Sequence, residues 1–382
     1  MPESAGSPEP ASLPRAEGTP RTAPAPPAPS VSVVVPLHDD AASVALCLDA
    51  VAAQTRPAME VLVVDDASTD GSERIAERHP SRPRLLRTGA NGGPAVARNL
   101  GARHARGDIL FFVDADVALA PEALAEAVGA LTQGDPEPGS VCGTTAPEPL
   151  LPTTAVGDYR ILQSYYWRKS SEGVVTPWFS ALAAIRRPVF LELGGLNPRL
   201  RQTEEVDFGV RLTRTNRSVV LSARVLGRHN DEERLLALVR KLARRARLRV
   251  PLYVAHRGFM RGFETGTRAL GSLAAAAGVV TLPLLAAAPW ADAVPLWTCA
   301  VPLVLLAASV ACDAGFHRYL LRGRGPLTGV GYAALHAVTG LAVTAGAACG
   351  AVQWVCSPRF RELYTYREPD TPATAPLAEG RA

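Results

Sequence analysis

Two pairs of acidic residues follow apolar runs of the kind that form buried strands. Asp65 and Asp66 follow VLVV, and Asp114 and Asp116 follow ILFFV with one residue between the two acids. Alternation along an extended chain would point both carboxylates of the second pair the same way, so that they share one divalent cation and the phosphates that it bridges. A lone D-x-D is a weak motif. It gains weight here because a neighbouring strand also ends in acids.

Three further acids, Glu204, Glu205 and Asp207, lie close together in the segment TEEVDFGVRL. If a helix begins here, Glu204 and Asp207 share one face and Glu205 points elsewhere. The three carboxylates therefore cannot all face one substrate. His229, in the segment LGRHNDEE, follows a predicted strand and is compatible with a surface position as well as with a site.

Short apolar runs alternate with helical patterns from Val31 to about Leu131. The strand-like runs are VSVVVP, EVLVVD, RPRLLRT and DILFFVD, and the helical patterns between them are ASVALCLDAVAAQ, GSERIAERH and PAVARNLGARHA. Apolar strands without polar alternation indicate a sheet covered on both faces, and strands alternating with helices indicate parallel βαβ units. Such doubly wound α/β sheets bind ligands beyond the carboxyl ends of their strands. The acids at the strand ends are therefore predicted to lie at the site.

Composition narrows the class of protein. The net charge of +4 is small for 382 residues and does not indicate a nucleic-acid binder. Six cysteines with neither a C-x-x-C pair nor zinc-finger spacing indicate a reduced compartment. Residues 1–30 are rich in Pro, Ala, Ser and Glu and lack the apolar core of a signal peptide, so they are predicted to be a disordered tail.

A basic amphipathic segment is predicted over residues 231–268. Its sequence DEERLLALVRKLARRARLRVP places leucines on one helical face with arginines around them, and Pro251 is predicted to end the helix. A solvated surface helix is the alternative for this segment considered in isolation.

Three apolar stretches follow, roughly Ala269–Pro289, Ala293–Gly315 and Leu327–Val355. A bilayer core of about 30 Å needs roughly 20 helical residues, so the first two fit single spans. The third is longer, and its length allows a tilted, bent or re-entrant course. We predict about three, at most four, transmembrane helices over residues 269–356, with 357–382 as a C-terminal tail. A buried soluble bundle is the alternative, although these stretches lack a polar face.

Positive charges suggest the orientation in the membrane. Arg318, Arg322 and Arg324 lie between the second and third stretches, and the basic segment precedes the first, so both are predicted to be cytoplasmic. The tail would then be outside if the third stretch crosses once, yet it carries Arg359, Arg361 and Arg367. The sequence therefore leaves open on which side of the membrane the C-terminal tail lies. The expected localisation is the plasma membrane, multi-pass, with the catalytic domain in the cytoplasm.

Five segments occur in the order and at the intervals of a known family: VSVVVPLHDD, VLVVDDASTDGS, NGGPAVARNLGARHARGDILFFVDADV, AAIRRPVFLELGGLNPRL and TEEVDFGVRL. Together they resemble the family 2 glycosyltransferases of the GT-A fold, over Val31 to His229. The resemblance implies a doubly wound, Rossmann-like GT-A catalytic domain at residues 31–230, followed by the transmembrane region.

The resemblance also implies roles for particular residues. Those that would bind the nucleotide-diphosphate sugar are Pro36, His38, Asp66, Asn91, Arg98 and Asp114. Asp65 is expected to steady the turn after its strand. Asp114 and Asp116 match the motif that holds Mn²⁺ or Mg²⁺, and His229 lies where some relatives place a histidine near the metal or the diphosphate.

The catalytic base implied by the resemblance is Glu205. The family has an aspartate at this position, so the glutamate is one methylene longer, and Asp207 is the second candidate. The motif Q-x-x-R-W of processive members is absent, which favours transfer of a single sugar.

The predicted function is inverting, metal-dependent sugar transfer to a lipid-linked or glycolipid acceptor. Two alternatives stay open at this point. One is a catalytically silent membrane protein that keeps the fold to bind a partner. The other is a nucleotidyltransferase, which should carry a Gly-rich basic loop after its first strand, where this chain has PLHDDAAS.

Overall fold

A computed structural model of the protein describes residues 28–133, 136–256, 261–262, 265–287 and 296–364. Most of the predicted N-terminal tail and most of the predicted C-terminal tail lie outside the described residues. The strands are β1 (Val31–Leu37), β2 (Glu60–Asp65), β3 (Arg84–Arg87), β4 (Ile109–Val113), β5 (Val117–Leu119), β6 (Ser140–Thr145), β7 (Gly173–Val175), β8 (Leu182–Arg186) and β9 (Val219–His229).

The helices divide into two groups. Those among the strands are α1 (Val44–Ala52), α2 (Ser72–Glu77), α3 (Pro94–His104), α4 (Ala123–Gln133), α5 (Ala155–Lys169), α6 (Arg187–Glu192) and α7 (Glu204–Thr213). Those that follow are α8 (Leu235–His256), α9 (Gly266–Thr281), α10 (Pro283–Ala287), α11 (Ala300–Cys312), α12 (Ala314–Arg324), α13 (Pro326–Cys356) and α14 (Pro358–Arg361). All seven elements predicted between Val31 and Leu131 are present.

The nine strands form one mixed sheet in the order β3-β2-β1-β4-β8-β6-β9-β5, with β7 beside β9. The four strands predicted from the sequence are parallel to one another. β8 then pairs antiparallel to both β4 and β6, and β6 runs parallel to β9. The sheet is therefore Rossmann-like in its first half and mixed in its second.

Apolar side chains cover both faces of the sheet. On β1, Val33 and Val35 pack on one face with α1, α2 and α4, while Val34 packs on the other with α3, α6 and α7. Phe111 and Phe112 of β4 divide in the same way. Because side chains alternate along a strand, both faces of β1 and β4 must be apolar. The prediction of a doubly wound α/β sheet is confirmed.

A crevice opens where the strand order reverses, because β1 has β2 on one side and β4 on the other. The loops after β1 and β2 are tied together at this edge. Asp39 accepts a hydrogen bond from the Thr69 amide at 2.7 Å, and Asp70 accepts one from the Ala41 amide at 2.8 Å. Asp39 and Ala67 have positive φ angles of 54° and 61°. Such backbone is disfavoured for residues with a Cβ, so the cross-loop bonds hold the two loops in shape.

α8 is present, but the prediction that Pro251 ends it is wrong. The helix continues through Pro251 to His256. Beyond the proline, Leu252 is buried against Val206 and Val210 of α7. Burial of this apolar contact offsets the backbone hydrogen bond that proline cannot make, which local propensity alone does not foresee.

The apolar C-terminal region forms helices that depart from the predicted spans. By length and composition alone, two described helices could cross a bilayer, Gly266–Leu285 and Pro326–Cys356. The second predicted stretch begins at residues outside the described ranges, and its helix α11 breaks at Asp313 and meets α12 at 82°. Counted as one bent span, that pair would be a third. The third predicted stretch is one continuous helix, α13, of 31 residues.

Gly209 in α7 is expected to tolerate no side chain. A Cβ there would lie 2.3 Å from the Thr176 carbonyl oxygen and 2.6 Å from the Trp178 amide nitrogen. We expect Gly209→Ala to lower the free energy of unfolding by about 1–3 kcal/mol, because backbone must move. Gly129→Ala in α4 is the matched control, with no described atom within 4 Å of its Cβ, and should raise stability by about 0.5–1 kcal/mol. Thermal unfolding of both purified variants should move in opposite directions, and equal melting temperatures would contradict the packing described.

Candidate active site

The carboxylate of Asp66 anchors the loop that follows β3. It is buried and accepts hydrogen bonds from the Gly92 amide at 2.9 Å, the Gly93 amide at 2.7 Å and the Thr88 hydroxyl at 2.7 Å. Asp65, by contrast, accepts a bond from the Ser68 amide at 3.2 Å, as expected of a residue that steadies its own turn. Asp66 therefore shapes the loop directly, and any contact with a ligand adds to these three bonds.

Asn91 connects this loop to the end of β1. Its side-chain amide donates to His38 Nε2 at 2.8 Å, just beyond the half-buried Pro36. Arg201 donates to the Asn91 side-chain oxygen at 3.1 Å and to its carbonyl oxygen at 3.0 Å. The sequence analysis missed Arg201, and its position directly after the LGGLNPRL segment was the only signal for it. Pro36, His38, Asp66 and Asn91 thus lie together at one corner of the sheet edge.

Arg98 joins two acidic groups that are far apart in sequence. Its side chain is buried, one Nη atom bonds the Asp114 carboxylate, and the other lies 3.5 Å from Glu204. Among the residues that the structure describes, neither Nε nor Nη1 has a hydrogen-bond partner. Arg98 was predicted to lie along the nucleotide. In the structure it connects the D-x-D segment after β4 to the first residue of α7.

The chain turns at the D-x-D segment, so the expectation of extended alternation is wrong. The Val117 amide donates to the Asp114 carbonyl at 3.0 Å, which closes a turn over these residues. Asp114 then pairs with Arg98, whereas Asp116 lies 3.2 Å from His229 Nε2. Burial lowers the pKa of His229, but the hydrogen bond with Asp116 and the charges of Asp116, Asp231 and Asp114 together outweigh burial, so the pKa is raised.

Asp40 is a third acid at this point that the sequence analysis missed. Burial, and then repulsion by the charges of Asp116 and Asp114, raises the pKa of Asp40 to about 7. The two aspartates of the D-x-D segment therefore both lie close enough to Asp40 to repel its charge, although they pair with different residues. Three acids therefore converge at this strand edge, next to Arg98 and His229.

These residues fit a hard divalent cation that substrate oxygens help to hold. Asp116 Oδ1 is buried and has no hydrogen-bond partner among the described residues, and Asp40 lies close enough to be repelled by the charges of Asp116 and Asp114. Within the described part of the chain, no three His, Cys, Asp or Glu side chains converge into a ready-made metal cage. Mg²⁺ is commonly held by one or two carboxylates together with phosphates, which is what two aspartates at a strand end provide.

α7 begins at Glu204 and separates its three acids as predicted. Glu204 and Asp207 are buried, while Glu205 is only half-buried. Burial, and then the charge of Glu205, raises the pKa of Glu204 to about 8, with Arg98 opposing. Glu205 is therefore the acid of the three that can reach an approaching molecule.

Asp207 is engaged elsewhere. It pairs with Arg211 at 2.9 Å, and Arg211 also donates to the carbonyls of Leu193 and Gly195 at 2.6 and 2.7 Å. Burial raises the pKa of the Asp207 carboxyl, and Arg211 opposes that shift. The pair fastens α7 to the loop before it.

Residues outside the predicted site also lie near Glu205. Burial lowers the pKa of Arg249 in α8, and among its neighbours Arg245 lowers it further while the charge of Glu205 opposes. The Tyr364 hydroxyl, beyond α14, donates to the Leu248 carbonyl and so accepts from the Thr203 hydroxyl at 2.8 Å, directly before α7. The basic helix and the end of the described chain therefore border the acids of α7.

The first part of the chain, which carries most of these residues, matches a known protein family. Residues 32–170 match the family described as Glycosyl transferase family 2. This part of the chain is a glycosyltransferase family 2 domain. The match contains the corner formed by His38, Asp66 and Asn91 and the D-x-D segment, and it ends before α7.

Two relatives illustrate the similarity of the glycosyltransferase domain. The chain is 29% identical over 193 residues to an uncharacterized glycosyltransferase of Haemophilus influenzae. That alignment covers 48% of this chain and 61% of the relative. It is 38% identical over 90 residues to the uncharacterized glycosyltransferase EpsJ of Bacillus subtilis, covering 23% of this chain and 26% of the relative. The chain thus spans less than two thirds of each.

One solved structure resembles most of the chain. It is the mannosyltransferase PcManGT from Pyrobaculum calidifontis in complex with GDP-Man and Mn²⁺, with a TM-score of 0.51 and 23% identity. The likeness covers 86% of this chain and 87% of that one. At this identity it supports the fold alone, and the predicted GT-A-like fold of the glycosyltransferase domain is confirmed.

Proposed function

We propose that this protein is an inverting, metal-dependent, non-processive glycosyltransferase that moves one sugar from a nucleotide-diphosphate sugar to a lipid-linked or glycolipid acceptor. The observation that carries the proposal is the position of Arg98, which lies between Asp114 and Glu204. Through it, the acids suited to a metal and the helix that carries Glu205 meet at one point of the strand edge.

The donor nucleotide would bind at the corner of Pro36, His38, Asp66 and Asn91. Asp66 keeps the Gly92 and Gly93 backbone close to that corner, which leaves room for a base and ribose to approach. The similar mannosyltransferase was crystallised with GDP-Man and Mn²⁺, in line with this class of donor. The nucleotide and the sugar stay unassigned.

Asp114 and Asp116 would hold Mn²⁺ or Mg²⁺, with His229 keeping Asp116 in place through their 3.2 Å contact. When bound, the ion supplies charge that stabilises the leaving nucleoside diphosphate. Arg98 adds a fixed positive charge beside Asp114. The direct role of His229 as a metal ligand was a prediction from resemblance, and we propose the supporting role for it instead.

Glu205 would act as the general base. Its half-buried carboxylate would take the proton of the acceptor hydroxyl while that oxygen bonds to the anomeric carbon and the diphosphate leaves. A single displacement inverts the anomeric configuration. Asp207 is the weaker candidate because its carboxylate already pairs with Arg211.

The arginines of α8 favour an acceptor with an anionic headgroup. Burial raises the pKa of Glu204 and the charge of Arg245 lowers it, whereas burial lowers the pKa of Arg249 and the charge of Glu205 raises it. Each arginine near an anionic leaflet contributes roughly 1 kcal/mol to membrane attraction. We place the catalytic domain on the cytoplasmic side of the plasma membrane, attached by the apolar C-terminal helices.

Arg201→Ala tests the donor corner. Because Arg201 makes two hydrogen bonds to Asn91, we expect its removal to raise the donor KM about 2- to 10-fold with little change in kcat. Arg103→Ala, an exposed arginine near the end of α3, is the control for loss of positive charge. Initial rates over a range of donor concentrations measure both constants. An equal change in the two variants would contradict the role of Arg201.

The proposed reaction is tested by incubating membranes that contain the full chain with a panel of radiolabelled nucleotide sugars. We expect one donor to yield free nucleoside diphosphate together with label in the lipid extract, dependent on divalent metal. A nucleotidyltransferase would release no nucleoside diphosphate from these donors, but would release pyrophosphate when a nucleoside triphosphate and a sugar phosphate are supplied instead. A silent binding protein would release neither product in either assay. Lipid-extractable label that is unaffected by excess chelator would contradict metal dependence.

A further inference from the structure

The two sides of α13 differ in what covers them. Tyr332, Thr339, Gly340, Gly346 and Gly350 are buried inside the protein. The opposite side, here called the outer face, is exposed and consists of Leu327, Ala334, Val338, Ala345, Val352 and Cys356. No Asp, Glu, Lys or Arg occurs anywhere in the 31 residues of the helix. An uncharged outer face of this length is unusual for a surface in water.

The first half of α13 is hydrogen-bonded to α5 of the glycosyltransferase domain. Asp158 accepts a bond from the Tyr332 hydroxyl at 2.7 Å, and Arg324, just before α13, pairs with the same carboxylate at 2.6 Å. Further along, the Tyr159 hydroxyl lies 3.1 Å from both His336 Nδ1 and Thr339 Oγ1. This half therefore lies against the side of the domain.

The second half of α13 packs backbone to backbone against α8. A Cβ on Gly346 would lie 2.1 Å from the Ala243 carbonyl oxygen, and one on Gly350 would lie 2.6 Å from that of Arg247. Contacts that advance by four residues on both helices show that the two run in the same direction. α8 in turn packs on α7 through Leu252.

The chain after α13 returns to the domain as well. Tyr364 donates to the Leu248 carbonyl at 2.7 Å and bonds Thr203 at 2.8 Å, next to the helix of Glu205. A 31-residue helix is about 46 Å long, and this one contacts the domain or α8 at its start, its middle and its end. A helix that crosses a bilayer core of about 30 Å would carry one end away from the domain.

Charges at the two ends agree with this geometry. Arg322 and Arg324 precede α13, Arg359 and Arg361 follow it, and all four are exposed. By the positive-inside rule both ends belong on the cytoplasmic side. A helix lying along the membrane meets this condition, and it removes the conflict that the arginines of the tail posed for a third crossing.

We propose that α13 does not cross the membrane but lies flat in the cytoplasmic leaflet, with its outer face among the acyl chains of anionic phospholipids. The part that inserts more deeply is the helix pair α9 and α11. Arg268 of α9 donates to Ser170, directly after α5, and Asp313, directly after α11, accepts from Trp167 of α5. This arrangement places α8 one helix layer, about 8–10 Å, from the leaflet. Glu205 then faces acceptors whose headgroups lie at that surface.

The inference rests on the proposed membrane attachment and not on sugar transfer. Its test uses the full chain with Cys299, Cys312, Cys349 and Cys356 changed to alanine. Nitroxide labels are placed one at a time at Ala334, Ala345 and Val352, and the protein is reconstituted in phosphatidylglycerol–phosphatidylethanolamine vesicles. Collision with oxygen and with a soluble nickel complex gives the depth of each label. Arg103→Cys on α3 gives the reference for water.

We expect the three labels to lie at similar depth, about 5–10 Å below the phosphates. A crossing helix would separate the labels at 334 and 352 by about 27 Å along its axis, and a depth gradient of that order would overturn the inference. Accessibility to nickel equal to that of the Arg103 site would also overturn it, since the outer face would then meet water or a second copy. Failure to bind vesicles at all would refute the attachment, while the transfer assay above would be unaffected.

Discussion

Replacing Glu205 with glutamine is expected to lower kcat by about 10²- to 10⁴-fold while the donor KM stays close to the wild-type value. The amide cannot accept a proton from the acceptor hydroxyl, but it keeps the shape of the side chain. Donor binding should survive because Glu205 lies at the start of α7, apart from the corner of His38, Asp66 and Asn91. Steady-state kinetics with a saturating acceptor, together with equilibrium binding of the donor, measure the two effects.

Two further variants distinguish the acids of α7. Glu205→Asp should keep part of the activity, since it retains a carboxylate with a shorter reach. Asp207→Asn breaks a buried pair with Arg211, so we expect loss of stability of about 3–5 kcal/mol with activity per folded molecule largely kept. If Glu205→Gln were active and folded Asp207→Asn were dead, the base would be Asp207.

Asp116→Asn is expected to reduce transfer by at least about 100-fold and to abolish the response to added Mn²⁺ or Mg²⁺. Loss of residues that merely support a metal ligand typically costs 10- to 100-fold, so loss of a ligand should exceed that range. The strand should persist because β4 ends at Val113, before the substituted residue. Activity is measured across a metal titration, and the fold is checked by circular dichroism.

Asp108→Asn is the matched control, because Asp108 immediately precedes β4 at the opposite edge of the sheet. Its carboxylate accepts bonds from the Ser30 amide and hydroxyl at 2.8 and 2.7 Å, far from the D-x-D segment. We expect this variant to keep its metal response. If Asp116→Asn responded to added metal as the wild type does, the D-x-D segment would not be the metal site.

The parallel half of the sheet, which carries the site, can be predicted from the amino-acid sequence. Apolar runs such as ILFFV bury both faces of a strand, and the helical patterns between such runs indicate parallel crossovers, so the four parallel strands and the helices between them follow from local pattern, whereas the strand order does not. The acids after β2 and β4 could be located for the same reason. The separation of Glu205 from Glu204 and Asp207 likewise follows from helical geometry alone.

Tertiary structure decided which charges meet. Arg98 bonds Asp114 and approaches Glu204 only because α3 and α7 pack on the same face of the sheet, and Asp40 joins the D-x-D acids only because β1 and β4 are neighbours. Neither contact leaves a signal in sequence spacing.

The course of the C-terminal helices was also decided by packing. Pro251 does not end α8 because Leu252 is buried against α7. The hydropathy of α13 fits a membrane span, although its buried side is hydrogen-bonded to α5 and packs against α8. Hydropathy measures how favourably the side chains of a helix leave water. Burial in a bilayer and burial against another part of the protein both remove them from water. Only the contacts made by each side of the helix distinguish the two.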